Sequence, residues 1–508
     1  MAIQRLNYGD LKWRRTATSD HHAVRHSRQH GTMPRWRLIA YVLLPFAAAY
    51  FIAHVFWVIN SLITDTLTKE FELGAGDLGL LSSISFFAMM AVQLPLGSLL
   101  DRYGSRRVQS ACLLIAAIGA SVFAISSTFP FLVFGRTMMG LGMAITFAAG
   151  LKAIVSWFPN DQVAFANGLL VTLGSLGAVT ATLPAGLLID AIGWRVVFLG
   201  LAAATTLCAF AVIALVPELP SSRSPSRSPA PGSYRDILAD RRFWTLAPLS
   251  AACVGTSWAL QGLWAAQWLS EVDGYDRATV LRHLFVMAVA LSLAATLLGS
   301  LVDRLCRRGI RLEAQFGAAV LLMIGAELSL ILPWSIPSYL SWSVIGMIGS
   351  TTTLSHTILP GYFRQEASGR ANSALSQMHF SFAFAAQWSI GAVVGLWPMS
   401  AGKHPAGAYQ IALAATLAMQ VASFARFVWP ERWQLGVPRH PKNTRVDLLR
   451  EKSRRPHSPY RVARLEWLSR LAEADAHLAN WRLATIASAG VCCALTILVL
   501  MRIGSGLL

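Results

Sequence analysis

Gly97-Ser-Leu-Leu-Asp101-Arg102-Tyr-Gly-Ser-Arg106-Arg107 and Gly299-Ser-Leu-Val-Asp303-Arg304-Leu-Cys-Arg307-Arg308 are one pattern written twice in this chain. Each copy closes an apolar run, and the two aspartates lie 202 residues apart. A second echo has nearly the same period. Trp157-Phe158 precedes Ala166-Asn167-Gly168, and Tyr362-Phe363 precedes Ala371-Asn372-Ser373, both pairs shifted by 205 residues. A repeat of this length covers about six helices, so the chain reads as a duplication of a six-helix half.

On either side of these loops the apolar runs have the length of membrane spans, about 20 residues. Twelve precede Pro430, centred near Tyr50, Met89, Ala117, Met143, Leu176, Ala204, Val254, Val289, Leu322, Ile348, Ala383 and Ala415. A thirteenth runs from Leu483 to Met501. The chain has 55% hydrophobic and 13% charged residues and a mean hydropathy of +0.50. Soluble domains carry about 25% charged residues, and half of that cannot cover a globule of 508 residues in water. These observations predict an all-α membrane protein of two six-helix bundles, 36–217 and 243–430, with an extra C-terminal transmembrane helix in 483–508.

The net charge of +18 is not read as a nucleic-acid footprint, because of where it sits. With the amino terminus inside, 34 of the 43 Lys and Arg fall in cytoplasmic segments and 6 in external ones. The positive-inside rule therefore predicts a cytoplasmic amino terminus. It puts 1–35, the Pro/Ser linker 218–242 and the basic segment 431–482 on the same side, facing anionic lipid headgroups. Val462, Leu465, Leu468 and Leu471 give that segment an amphipathic face. Met1–Arg37 is polar and lacks the apolar stretch of a cleaved leader. None of the six cysteines lies in an external loop, so no disulfide framework is expected. His22, His26 and His30 have helical metal spacing but no apolar support, so no metal and no cofactor is expected.

The twin loops resemble the loop signature of the major facilitator superfamily. Gly135-Arg136-Thr-Met-Met-Gly140-Leu-Gly142 resembles a second signature of that superfamily, and Gly193-Trp194-Arg195-x-x-Phe198 is also similar to it. The resemblance covers about 36–430 and implies a secondary transporter for a small solute in a bacterial inner membrane. It is not an enzyme in this reading. It implies a conformational latch at Gly97, Asp101, Arg102, Arg106, Asp303 and Arg304. Gly97 would admit a neighbouring helix, and Asp101 would pair with Arg106 or face a helix amino end in the other half. Parts of the first half resemble nitrate/nitrite porters and sugar-phosphate permeases. Those carriers place arginines at mid-membrane, whereas spans one and seven here have no central cation. The alternative is a receptor of the same fold that signals through its tail and thirteenth helix.

Candidate cavity residues come from helical spacing. Tyr50, His54, Trp57 and Ser61 stand at i, i+4, i+7 and i+11, and so do Ser257, Gln261, Trp264 and Trp268. The symmetry offset is then 207 residues. His379 and Gln387 join them from span eleven, with Gln93 from span two and His356 from span ten. Arg136 lies about 10 Å deep, at about 1.5 Å per residue, where a guanidinium either serves a site or pins backbone carbonyls. His54, His356 and His379 are candidate proton carriers. Tryptophans with neutral amides and imidazoles suit a neutral or zwitterionic organic solute.

Overall fold

The computed structural model describes residues 34–159, 162–217, 234–332, 336–363, 367–400 and 403–428. The amino-terminal histidines, the linker 218–233 and the segments 431–482 and 483–508 lie outside the described residues. Apart from one bridge between Ser400 and Lys403, all regular structure among the described residues is helical.

Twelve long helical runs follow one another. They are α1 (Arg35–Val58, continued by Asn60–Phe71), α2 (Ala75–Tyr103), α3 (Ser105–Ile125), α4 (Phe129–Trp157), α5 (Val163–Thr180, continued by Leu183–Ile192) and α6 (Trp194–Leu215). After a short helix, Tyr234–Ala239, come α7 (Phe243–Ala259, continued to Val272), α8 (Arg277–Arg307), α9 (Leu312–Ile331), α10 (Ser338–Ile348, continued to Tyr362), α11 (Ser368–Val394) and α12 (Ala406–Val428). Eight are singly long and apolar enough to span a membrane, and bent α5 makes a ninth. α7 and α10 are broken into shorter pieces, and α11 is long but carries Arg370, Asn372, Gln377, His379 and Gln387. Polar residues and breaks of this kind are tolerated at membrane depth where a helix faces protein or a cavity. Phe131, Leu207, Phe210, Leu322 and Leu340 are each more than half exposed, which suits a lipid-facing surface.

The repeated loop has a plain backbone role. Gly104 has φ +81° and turns the chain from α2 directly into α3. Gly309 has φ +83° and does the same between α8 and α9. Only glycine enters this region without strain. Both copies of the loop lie at one face of the bundle, called here the basic face.

The first six runs pack against the last six chiefly through α2 on α11 and α5 on α8. At the face opposite the basic loops these pairs are closed. A Cβ at Gly391 of α11 would stand 2.6 Å from the Ala75 carbonyl oxygen of α2 and 3.0 Å from Trp264 Cζ2. Arg277 of α8 pairs with Asp190 of α5 at 2.7 Å across the same seam. Towards the basic face the same helices have room around their glycines. A Cβ at Gly97 of α2 or Gly369 of α11 meets no heavy atom within 4 Å. The close approach expected at Gly97 is thus not made in this arrangement. Arg106 donates through Nε to the Ile213 carbonyl of α6, 2.8 Å away, within its own group of helices. Asp303 and Arg304 are exposed, and the side chain of Asp101 lies outside the described residues.

Candidate functional site

Between the two groups of helices lies a cavity of about 130 Å³. It is walled by α1, α2, α4, α5, α7, α8, α10 and α11. Its end towards the closed face is an aromatic plug. Trp57 (α1) and Trp258 (α7) have ring centroids 5.3 Å apart, and Phe86 (α2) stacks on Trp258 at 6.2 Å with an interplanar angle of 9°. Phe380 (α11) stands 5.7 Å from Trp258. Four rings from four helices thereby meet at the inter-group seam, and such contacts strengthen apolar burial.

The polar part of the wall is uncharged apart from its imidazoles. Among the described residues no Lys, Arg, Asp or Glu lines the cavity. His54 gives its Nδ1 to the Tyr50 carbonyl at 3.0 Å, and its ring lies 5.1 Å from Trp57. His356 (α10) and His379 (α11) meet edge to face at 5.4 Å. His379 Nε2 bonds Ser250 Oγ of α7 at 2.8 Å, and His356 Nδ1 bonds Asn372 Oδ1 at 3.1 Å. The indole nitrogen of Trp57 and the amide nitrogen of Gln261 are buried without a partner. Among the described residues no three His, Cys, Asp or Glu side chains group closely enough to hold a metal ion.

Of the residues expected at the site, the structure brings Tyr50, His54, Trp57, Gln261, His356 and His379 together around this cavity. Five expected residues lie elsewhere. Ser257 turns away and donates to the Ile345 carbonyl of α10 at 2.7 Å. Trp264 donates to the Gln387 carbonyl at 3.0 Å, so Trp264 and Gln387 belong to the seal behind the plug. A π-turn at Leu260–Trp264 adds a residue to the helical turn and rotates everything after it, which splits the expected stripe. Gln93 lies beyond the cavity towards the basic end of α2 and does not line it.

Arg136 is the fifth. It is 3% exposed and donates from Nη1 to the Phe56 carbonyl at 3.3 Å. Phe56 is in the last turn of the first segment of α1, just before the break at Ile59. The last four carbonyls of a helix lack in-helix donors, and a cation at that end also meets the negative pole of the dipole. Arg136 therefore caps α1 from α4, packed 5.8 Å from the Phe123 ring. Spacing missed Phe86, Trp258 and Phe380, whose apolar surroundings in sequence look like any core run.

The closed face carries the described inter-helix ion pairs. Besides Arg277–Asp190, Arg195 pairs with Glu70 at 2.6 Å, and His404 meets Glu271 at 3.2 Å. Just past α7, burial raises the Asp273 carboxyl above its usual range, while the Trp268 indole N–H, 3.2 Å away, opposes that shift.

The sequence profile described as the Major Facilitator Superfamily matches residues 46–387. A nitrate/nitrite transporter of Picosynechococcus sp. is 30% identical over 130 residues, 26% of this chain and 24% of its own length. The chain thus spans about a quarter of that relative. A probable sulfoacetate transporter of Cupriavidus necator is 25% identical, over 56% of this chain and 69% of its own. A probable nitrate transporter of Staphylococcus carnosus is 23% identical, over 68% and 92%. Among solved structures, a bacterial homologue of the human lysosomal transporter Spinster, inward-facing and unoccupied, superimposes with a TM-score of 0.63 at 18% identity. It covers 78% of this chain and 97% of that one.

Proposed function

The chain belongs to the major facilitator superfamily, and from that premise we propose that it carries a small organic solute across a membrane by alternating access. The observation that carries this reading is the central cavity between the two groups of helices, plugged towards one face by aromatic rings from both groups. The two groups of helices rock about it, and the site faces each side in turn. By the positive-inside rule the basic face is cytoplasmic, so the described state is inward-open, and the membrane is a bacterial inner membrane. The relatives in the comparison carry nitrate, nitrite or sulfoacetate by name. A wall without Arg or Lys argues for a different, organic cargo here. The three imidazoles are the cavity's candidates for carrying a coupling proton.

Two measurements test this. In a cysteine-free background, His54→Cys and Gln261→Cys should each react with a membrane-impermeant thiol reagent applied to the basic face, at least tenfold faster than from the other face. If neither cysteine reacts from either face, the cavity is not the pathway. A reporter inserted in the linker 218–233 should read as cytoplasmic; external activity would reverse the assigned orientation.

A further inference from the structure

The hydrogen-bond inventory of the cavity wall is lopsided. A hydroxyl has one hydrogen to give and two lone pairs, and neutral imidazole has one N–H and one bare nitrogen. Thr146, Ser175, Ser350 and Thr352 all commit their hydrogen to a backbone carbonyl of their own helix, at 2.8, 2.9, 2.7 and 3.2 Å. Each hydroxyl is left as an acceptor. His54 faces a carbonyl through Nδ1, and a carbonyl cannot donate, so Nδ1 holds the hydrogen and Nε2 is a bare acceptor. His356 faces Asn372 Oδ1 in the same way. Against this run of acceptors stand two buried donors without partners among the described residues, Trp57 Nε1 in the aromatic plug and Gln261 Nε2 next to it, while the hydroxyls of Tyr50, Thr353 and Ser376 on the same wall are free to turn either way. Gln261 is 93% buried, being only 7% exposed. A buried donor left unmatched is unfavourable, so a cargo that matches it should bind about tenfold more tightly than one that does not.

Building on the transport reading, we infer that the cavity selects a two-ended, net-neutral solute of the amino-acid class. One end is a carboxylate or similar oxygen acceptor, which takes the hydrogens of Trp57 and Gln261. The rest carries N–H or O–H donors, which meet the bare nitrogens of His54 and His356 and the hydroxyl oxygens of α4, α5 and α10. The absence of charged side chains from the wall favours a solute whose charges cancel. The cavity's volume of about 130 Å³ is below the range of drug-sized sites, about 300 Å³ upward, so the solute is compact. Nitrate and acetate supply only acceptors and leave the wall unmatched.

The test uses the purified full chain in nanodiscs, titrated by tryptophan fluorescence and thermal shift. The probes are glycine, β-alanine and serine, with glycine betaine, acetate, nitrate and ethanolamine as controls that each lack one end. At least one amino acid should bind at least tenfold more tightly than every control. Trp57→Phe and Gln261→Met should each weaken that binding about tenfold. Acetate or nitrate binding as tightly as the best amino acid would overturn the inference, and so would failure of all three amino acids to bind. Neither result touches the transport reading, whose thiol-access test needs no solute.

Discussion

Gly391→Val is expected to reverse the face from which the cavity is reached. The Cβ of any residue at 391 would lie 2.6 Å from the Ala75 carbonyl oxygen and 3.1 Å from Gly79 Cα, both on α2. Backbone atoms cannot swing aside as a flexible side chain can. The clash lies on the seam between the two groups of helices, so it is relieved if that seam opens. Overpacking costs about 1–3 kcal/mol, which moves a balanced two-state equilibrium by roughly 5- to 150-fold. A cysteine replacing Gln267, now 5% exposed behind the plug, should label from the Asp190 face at least tenfold faster in the Gly391→Val background. An unchanged rate would sink the idea that this seam is the gate. Gly142→Val is the control. Its Cβ would lie 2.4 Å from the Cys112 carbonyl oxygen inside the first six helices, where no rocking relieves it. That variant should lose protein from the membrane rather than change its facing.

The contrast between these glycines marks what the sequence reveals. The length of the apolar runs and the twin loops suffice for twelve helices and a duplication, since both follow from membrane thickness and chain repetition. Where the helices break is another matter. A 3.6-residue period placed Ser257, Gln261 and Trp264 on one stripe, and the π-turn at Leu260–Trp264 separates them. No residue type announces such a turn. The offset of 207 that fits the stripe also passes over Trp258. That residue lies 201 after Trp57, close to the 202 of the loop aspartates, and meets it in the aromatic plug. The histidines were legible because a polar ring within an apolar run has few places to go but inward. Their partners were not, since Ser250, Tyr50 and Asn372 are chosen by packing rather than spacing.

Arg136→Ala should lower the stability of the protein strongly and leave solute recognition intact in the molecules that fold. Depth alone allowed either a binding role or a pin, and the side chain reaches the Phe56 carbonyl and the Phe123 ring rather than the cavity. Removing it leaves a helix-end carbonyl bare within the bundle and a void beside Phe123. A hydrogen bond to a charged group contributes about 1.5–3 kcal/mol, and truncating a large buried side chain adds about 2–5 kcal/mol. The expected result is a fall in melting temperature of the solubilised protein and a sharply reduced amount in the membrane. Arg136→Lys keeps a cation at the same helix end and should recover part of the loss. The affinity of the folded fraction for its solute should stay within about threefold of the original, because no cavity-lining atom is removed. If instead Arg136→Ala keeps its melting temperature but loses solute binding, the guanidinium serves the transport site in some other state of the cycle, and its capping of α1 is incidental.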